Sequence, residues 1–188
     1  MWMREVTVGL VSTQCYLVGQ ENRKDCIVID PGDEAERIRK AAEGRKIAAI
    51  LLTHGHFDHI GAIGELMEAD TRLFIHPLDR DMLKDSALNA GQWMLHREVK
   101  APDATDLVRE GDTLEAAGLT IRVLHTPGHT RGSVCYQIEN ELFTGDTLFE
   151  HGWGRTDLPG GDEHDMVMSL RRLIPLAQKM PIHPGHEG

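Results

Sequence analysis

The stretch Thr53-His54-Gly55-His56-Phe57-Asp58-His59 follows directly on an apolar run at residues 47–52, and its last six residues hold three imidazoles and a carboxylate. Such density at the end of a buried strand is the signal of a metal site. In an extended loop, side chains two apart point the same way, so His54 and His56 can converge on one ion. Asp58 and His59, where the chain turns into the next helix, can face a second ion. Two ions need more donors, which constrains the rest of the chain to bring them to the same place. His129 in Thr126-Pro127-Gly128-His129-Thr130, Asp146 in Thr144-Gly145-Asp146 and His186 in Pro184-Gly185-His186 are available. Each lies just beyond a predicted strand, in a glycine-containing turn that lets backbone approach a crowded centre.

The pattern around these residues is that of a layered α/β fold. Residues 14–18 and 25–30 read as a hairpin closed by Asp30-Pro31-Gly32, followed by a helix that Asp33 can cap and Gly44 stops. Residues 60–69 read as a helix and 72–75 as a strand, a βαβ-type alternation. Pro77 opens a short polar helix, and residues 84–104 lack clean periodicity and form an excursion outside the sheet. From Asp106 to Thr144 the pattern becomes a meander of short strands, and a last helix is predicted over 163–174. No repeat or low-complexity linker interrupts the chain, so one domain over residues 1–188 is expected, built as a four-layer α/β sandwich.

Charge and composition narrow the partners. With 20 Lys+Arg against 30 Asp+Glu the net charge is −10, which argues against a surface made to grip phosphate backbones, so no nucleic acid is expected. The first twenty residues lack a basic segment followed by an unbroken apolar one, and no run is long enough to cross a membrane. Cys15, Cys26 and Cys135 form no CxxC pair and sit among strand-like residues, which reads as reduced core thiols and a cytoplasmic location. Oligomeric state is left open.

The ordered series HGHFDH at 54–59, PGHT at 127–130, TGD at 144–146 and PGHE at 184–187 resembles the metallo-β-lactamase superfamily. The resemblance implies an αββα sandwich with the site along one edge. It also implies a division of ligands: His54, His56 and His129 for a first metal, Asp58, His59 and His186 for a second, and Asp146 bridging. His59 stands where many zinc β-lactamases have arginine, and Asp146 where they have cysteine or serine, so antibiotic hydrolysis is not expected. His56 replaces the glutamate of flavodiiron proteins. Residues 149–162, FEHGWGRTDLPGGD, look like the signature of short glyoxalase II-like hydrolases, and persulfide dioxygenases share the GRTD core. Full glyoxalase II enzymes carry a C-terminal helical domain that binds glutathione, whereas this sequence ends two residues after His186. A histidine so near a terminus is expected to hold the second metal weakly.

The expected chemistry follows from the ions. Two divalent cations about 3.5 to 4 Å apart lower the pKa of a shared water from 15.7 to roughly 7, supplying hydroxide for attack on a thioester carbonyl. Zinc is the default, although iron and manganese suit the same donors. The resemblance makes the substrate a small-molecule thioester such as an S-acylglutathione, with Asp58 as the catalytic residue that orients the attacking water. Arg155 either pairs with a substrate carboxylate or fixes its own loop through Asp157 or Asp162. Asp30 is expected to orient a ligand histidine, with a plain turn role as the alternative. Two rivals remain: an iron oxidoreductase using His54, His129 and Asp146 on a persulfide, and an inactive metal-binding domain that recruits a partner. Trp93, Met94 and Leu95 are either a lid or substrate wall, or a satellite core or subunit contact.

Overall fold

The structure, a computed structural model, describes residues 1–187. Its first half forms a six-stranded sheet in chain order: β1 (Trp2–Val8), β2 (Thr13–Gly19), β3 (Asp25–Ile29), β4 (Lys46–Leu51), β5 (Arg72–Ile75) and β6 (Asp106–Leu107). β1 to β3 are antiparallel and β3 to β6 parallel. The second half forms a five-stranded sheet from β7 (Thr113–Ala116), β8 (Leu119–His125), β9 (Val134–Ile138), β10 (Glu141–Gly145) and β11 (Ile182–Pro184), in the order β11-β10-β9-β8-β7.

The period-two alternation of the strands sorts the core into layers. Tyr16, Ile27, Leu51 and Phe74 of the first sheet face Ile121, Tyr136 and Phe143 of the second. The intervening residues Cys15, Leu17, Val28 and Ile50 point outward, where α1 (Ala35–Ala41), α2 (Phe57–Ile60) and α3 (Ile63–Leu66) cover them with Ile38, Ile60 and Ile63. On the other side, Leu173 of α5 (Glu163–Ala177) packs on Leu124, Cys135 and Leu142. The result is helices, sheet, sheet, helices, the expected four-layer sandwich. Burial of Met166, Ser169, Leu170 and Leu173 follows the helical spacing that makes α5 a covering layer. Asp162 caps it by accepting from the Asp165 N–H at 2.9 Å.

Several local expectations are corrected. Asp33 does not cap α1: it accepts from the Glu34 N–H at 2.7 Å, and Glu34, at φ +54°, is the residue that precedes the helix. The single helix expected over 60–69 is two separate turns, α2 and α3, because the Ala62 N–H bonds to the Pro31 carbonyl instead of continuing a helix. The polar helix after Pro77 is a 3₁₀ turn, Arg80–Leu83. Asp106–Leu107 belongs to the first sheet, so the meander proper starts at β7. The last helix runs on to Ala177 with Pro175 inside it. β11 is the strand expected ahead of His186, although three residues are too few for a periodic signal to set its bounds. The excursion at 84–104 lies outside both sheets and contains only α4 (Gly91–Leu95) among the described residues. Cys15, Cys26 and Cys135 are buried and unpaired, and burial pushes all three thiols up.

Candidate metal centre

The expected ligands lie just beyond the ends of four strands that open on the same edge of the sandwich. β4 delivers Thr53 to His56, and the chain then turns into α2, which carries Asp58 and His59. β8 leads to the loop of His129, β10 ends at Gly145 just before Asp146, and β11 leads to His186. Donor atoms of His54, His56 and His129 lie within 4.8 Å of one another, as do those of Asp58, His59 and His186. Asp146 stands between the two groups. Its Oδ1 is 3.4 Å from His59 Nε2, and its Oδ2 is 3.4 Å from His129 Nε2 and 3.5 Å from His186 Nε2. All seven expected ligands therefore converge.

Hydrogen bonds on the far side of the rings decide which nitrogen faces inward. A carbonyl can only accept, so His129 Nδ1 donates to the Arg155 carbonyl at 2.7 Å and His186 Nδ1 to the Val11 carbonyl at 3.1 Å. Both rings then aim an Nε2 lone pair at the centre. Thr53 Oγ1 donates to Asp30 Oδ2 at 2.6 Å, so at 3.1 Å it takes the proton of His54 Nδ1. Asp30 also accepts from the Thr53 N–H at 2.8 Å and faces His59 Nδ1 at 2.9 Å. It thus acts on both His54, through Thr53, and His59, while sitting at φ +52°, a left-handed turn conformation that aspartate tolerates.

Several donors are left with nothing to bond. His54 Nε2, His56 Nε2, His59 Nε2 and Asp146 Oδ1 are buried without a protein partner. His56 Nδ1 lies only 2.9 Å from the inward lone pair of His129 Nε2. Unsatisfied buried acceptors at this density are costly in an empty protein interior, and a divalent cation satisfies them. The donor set fits such ions. Burial, reinforced by the neighbouring imidazoles, pushes His54 and His56 well below the ordinary histidine pKa, the neutral form that binds metal. Burial opposes charge on Asp58 and His59 as well, but His59 and His186 hold Asp58 well below the usual carboxylate range, and Asp58, Asp146 and Asp30 hold His59 above its ordinary value.

Comparison with known proteins agrees with this geometry. The family model for the metallo-beta-lactamase superfamily matches residues 8–186. The chain belongs to that superfamily. Among curated relatives of this metallo-β-lactamase-fold protein, the hydroxyacylglutathione hydrolase GloC of Haemophilus influenzae is 35% identical over 198 residues, covering 96% of this chain and 88% of the relative. Among solved structures, the BLEG-1 B3 metallo-beta-lactamase superposes with a TM-score of 0.92 at 33% identity, covering 100% and 92% of the two chains. TTHA1623 in a di-iron-bound form gives 0.85 at 37% identity over 98% and 92%. ETHE1 from Myxococcus xanthus gives 0.80 at 30% over 100% and 76%.

Three supporting residues escaped the sequence reading. Thr13 donates to Asp58 Oδ2 at 2.9 Å, and Thr53 relays Asp30 to His54. Asp79 is buried behind the first cluster. Its Oδ2 accepts from the Gly55 N–H at 3.2 Å and from Thr130 Oγ1 at 2.6 Å, and its Oδ1 accepts from the Gly132 N–H at 2.8 Å. It ties the loop of His54 and His56 to the loop of His129. No motif flags it, because its partners are backbone groups 24 and 53 residues away.

The segment leading to His186 is hydrogen-bonded to strands of both sheets. The Gly185 N–H donates to the Gly145 carbonyl at 2.8 Å, its carbonyl accepts from the Gln14 N–H at 2.7 Å, and Tyr16 Oη donates to the Pro184 carbonyl at 2.8 Å. Arg155 lies beside the centre, but its guanidinium is engaged with Asp157 at 2.6 and 2.8 Å. Met94 of α4 lines the cavity over the centre, while Trp93 is 66% exposed and His151 is exposed outside it.

Proposed function

We propose that this protein is a binuclear metal-dependent hydrolase that cleaves a small-molecule thioester, in the manner of a hydroxyacylglutathione hydrolase. The observation that carries the reading is the inward convergence of five imidazoles and two carboxylates, four of the rings being braced from outside the cluster, supported by the similarity to GloC. His54, His56 and His129 would hold one divalent ion, Asp58, His59 and His186 the other, and Asp146 both. Such ions supply a hydroxide nucleophile at neutral pH and polarise a carbonyl. Zinc is the proposed metal. The chain's own part is orientation. Asp58, fixed by Thr13, is an acceptor whose depressed pKa suits it to align a water rather than to store a proton. Asp30 and Thr53 hold His54 and His59 in the tautomers the centre needs. Arg155 is proposed to contact substrate at the cost of its exposed pair with Asp157, an exchange that surface ion pairs permit cheaply.

No helix among the described residues is long and apolar enough to cross a membrane. The three buried unpaired thiols support a reducing, cytoplasmic setting. The test is thiol release from S-lactoylglutathione by protein loaded separately with zinc and with iron. Turnover with zinc that is lost in His54→Ala is expected. The second reading, an iron-dependent persulfide dioxygenase, draws on the ETHE1 likeness; oxygen uptake with a glutathione persulfide, in place of thioester cleavage, would favour it.

A further inference from the structure

The cavity over the metal centre, about 260 Å³, has two kinds of wall. One is the cluster itself. The other is assembled from Val11 of the β1–β2 turn, Phe57 of α2, Met94 of α4, and Phe149 and Leu158 of the loop after β10. Phe149 stands edge-on to the His186 ring, with centroids 6.2 Å apart, so the apolar wall begins at the second cluster. Apart from the expected ligands, Arg155 is the one charged residue of the lining, and it is paired with Asp157. Val11 and Met94 are 37% and 49% exposed, so the apolar wall reaches solvent at these two residues. Contiguous exposed apolar side chains around a polar centre mark a ligand surface.

A hydroxyacyl group would bring a hydroxyl against side chains that offer it no hydrogen bond, and a buried unpaired hydroxyl is unfavourable. A hydrocarbon group would bury its surface there instead. The small bounded space suits the acyl side of a thioester, since a long polar thiol carrier must leave through the open mouth. Resting on the hydrolase reading, we propose that the group lodged against this wall is a hydrocarbon chain or ring, making the preferred substrates alkanoyl or aroyl thioesters, with Met94 and Leu158 as specificity-determining residues.

Binding can be read without turnover by calorimetric titration of the zinc-loaded protein with the inert thioethers S-hexylglutathione and S-methylglutathione. The hexyl compound is expected to bind at least about ten-fold tighter. Met94→Gln and Leu158→Asn should each shrink that ratio several-fold, the hexyl compound losing more affinity than the methyl one. In turnover, S-hexanoylglutathione should exceed S-lactoylglutathione in kcat/KM by a similar factor. Equal binding of the two thioethers, or variants that weaken both alike, would overturn the inference. A hexyl preference with neither thioester cleaved would sink the hydrolase reading while leaving the hydrocarbon-binding wall intact.

Discussion

Asp79 bears on the candidate metal centre without being one of its expected ligands. Its carboxylate gathers two backbone N–H groups and a hydroxyl from the two loops that carry His54, His56 and His129. Burial raises its pKa above the usual carboxylate value despite the three donors that oppose the rise, Thr130 first. Asp79→Ala would leave those donors facing a void. We expect a loss on the order of 3 kcal/mol in urea unfolding, and first-cluster zinc affinity about 10- to 100-fold weaker in competition with a chelator. Asp79→Asn, which keeps the volume and one acceptor oxygen, should fall between. Unchanged zinc affinity in the alanine variant would show that the loops hold their spacing alone. The candidate ligands were legible because each lies in a short motif next to a strand end. Asp79, Thr13 and Thr53 were not, since their roles depend on which distant groups the fold brings within reach.

At the scale of the element, the three-residue β11 has an effect on the centre out of proportion to its length. Three residues pair alongside β10 and place Gly185 against the site. A Cβ at Gly185 would collide with Asp146 Oδ1 and come within 2.9 Å of His59 Cε1. Gly185→Ala should therefore displace the carboxylate that stands between the clusters and destabilise the fold by about 1 to 3 kcal/mol. Metal analysis after dialysis should find zinc per chain reduced from about two toward one. A full complement of two tightly held ions would contradict this. The divided helix makes the complementary point. Residues 60–69 carry helical periodicity, yet the Pro31 carbonyl takes the Ala62 N–H and splits the segment. Propensity reads neighbours a few positions apart and is blind to an acceptor 31 residues upstream. The hairpin, the central parallel strands and the meander carry strong alternation over several residues, and these were readable.

For the whole molecule, two sheets pressed together leave one edge on which strand ends from both halves meet. His54, His56, Asp58 and His59 come from the first sheet's side and His129, Asp146 and His186 from the second's. Ions held there would staple the two halves, stabilising the folded state by mass action over an unfolded chain in which the donors are scattered. Stripping metal with a chelator should lower the melting temperature by on the order of 10 °C, restored by added zinc. An unshifted transition in calorimetry would mean that the sandwich stands without its metals.

Strand alternation, the order of the elements, the acidic net charge and the positions of the ligand motifs were determined by the sequence itself. They rest on residue type and on spacing within a few positions, which no partner elsewhere can alter. Only the tertiary structure decided which nitrogen of His54, His59, His129 and His186 turns inward, that Asp30 and Asp79 brace the centre from behind, that Arg155 is paired with Asp157, and that hydrocarbon walls the cavity. Each of these depends on a carbonyl, carboxylate or side chain supplied by another part of the fold, and such pairings exist only once the two sheets have packed.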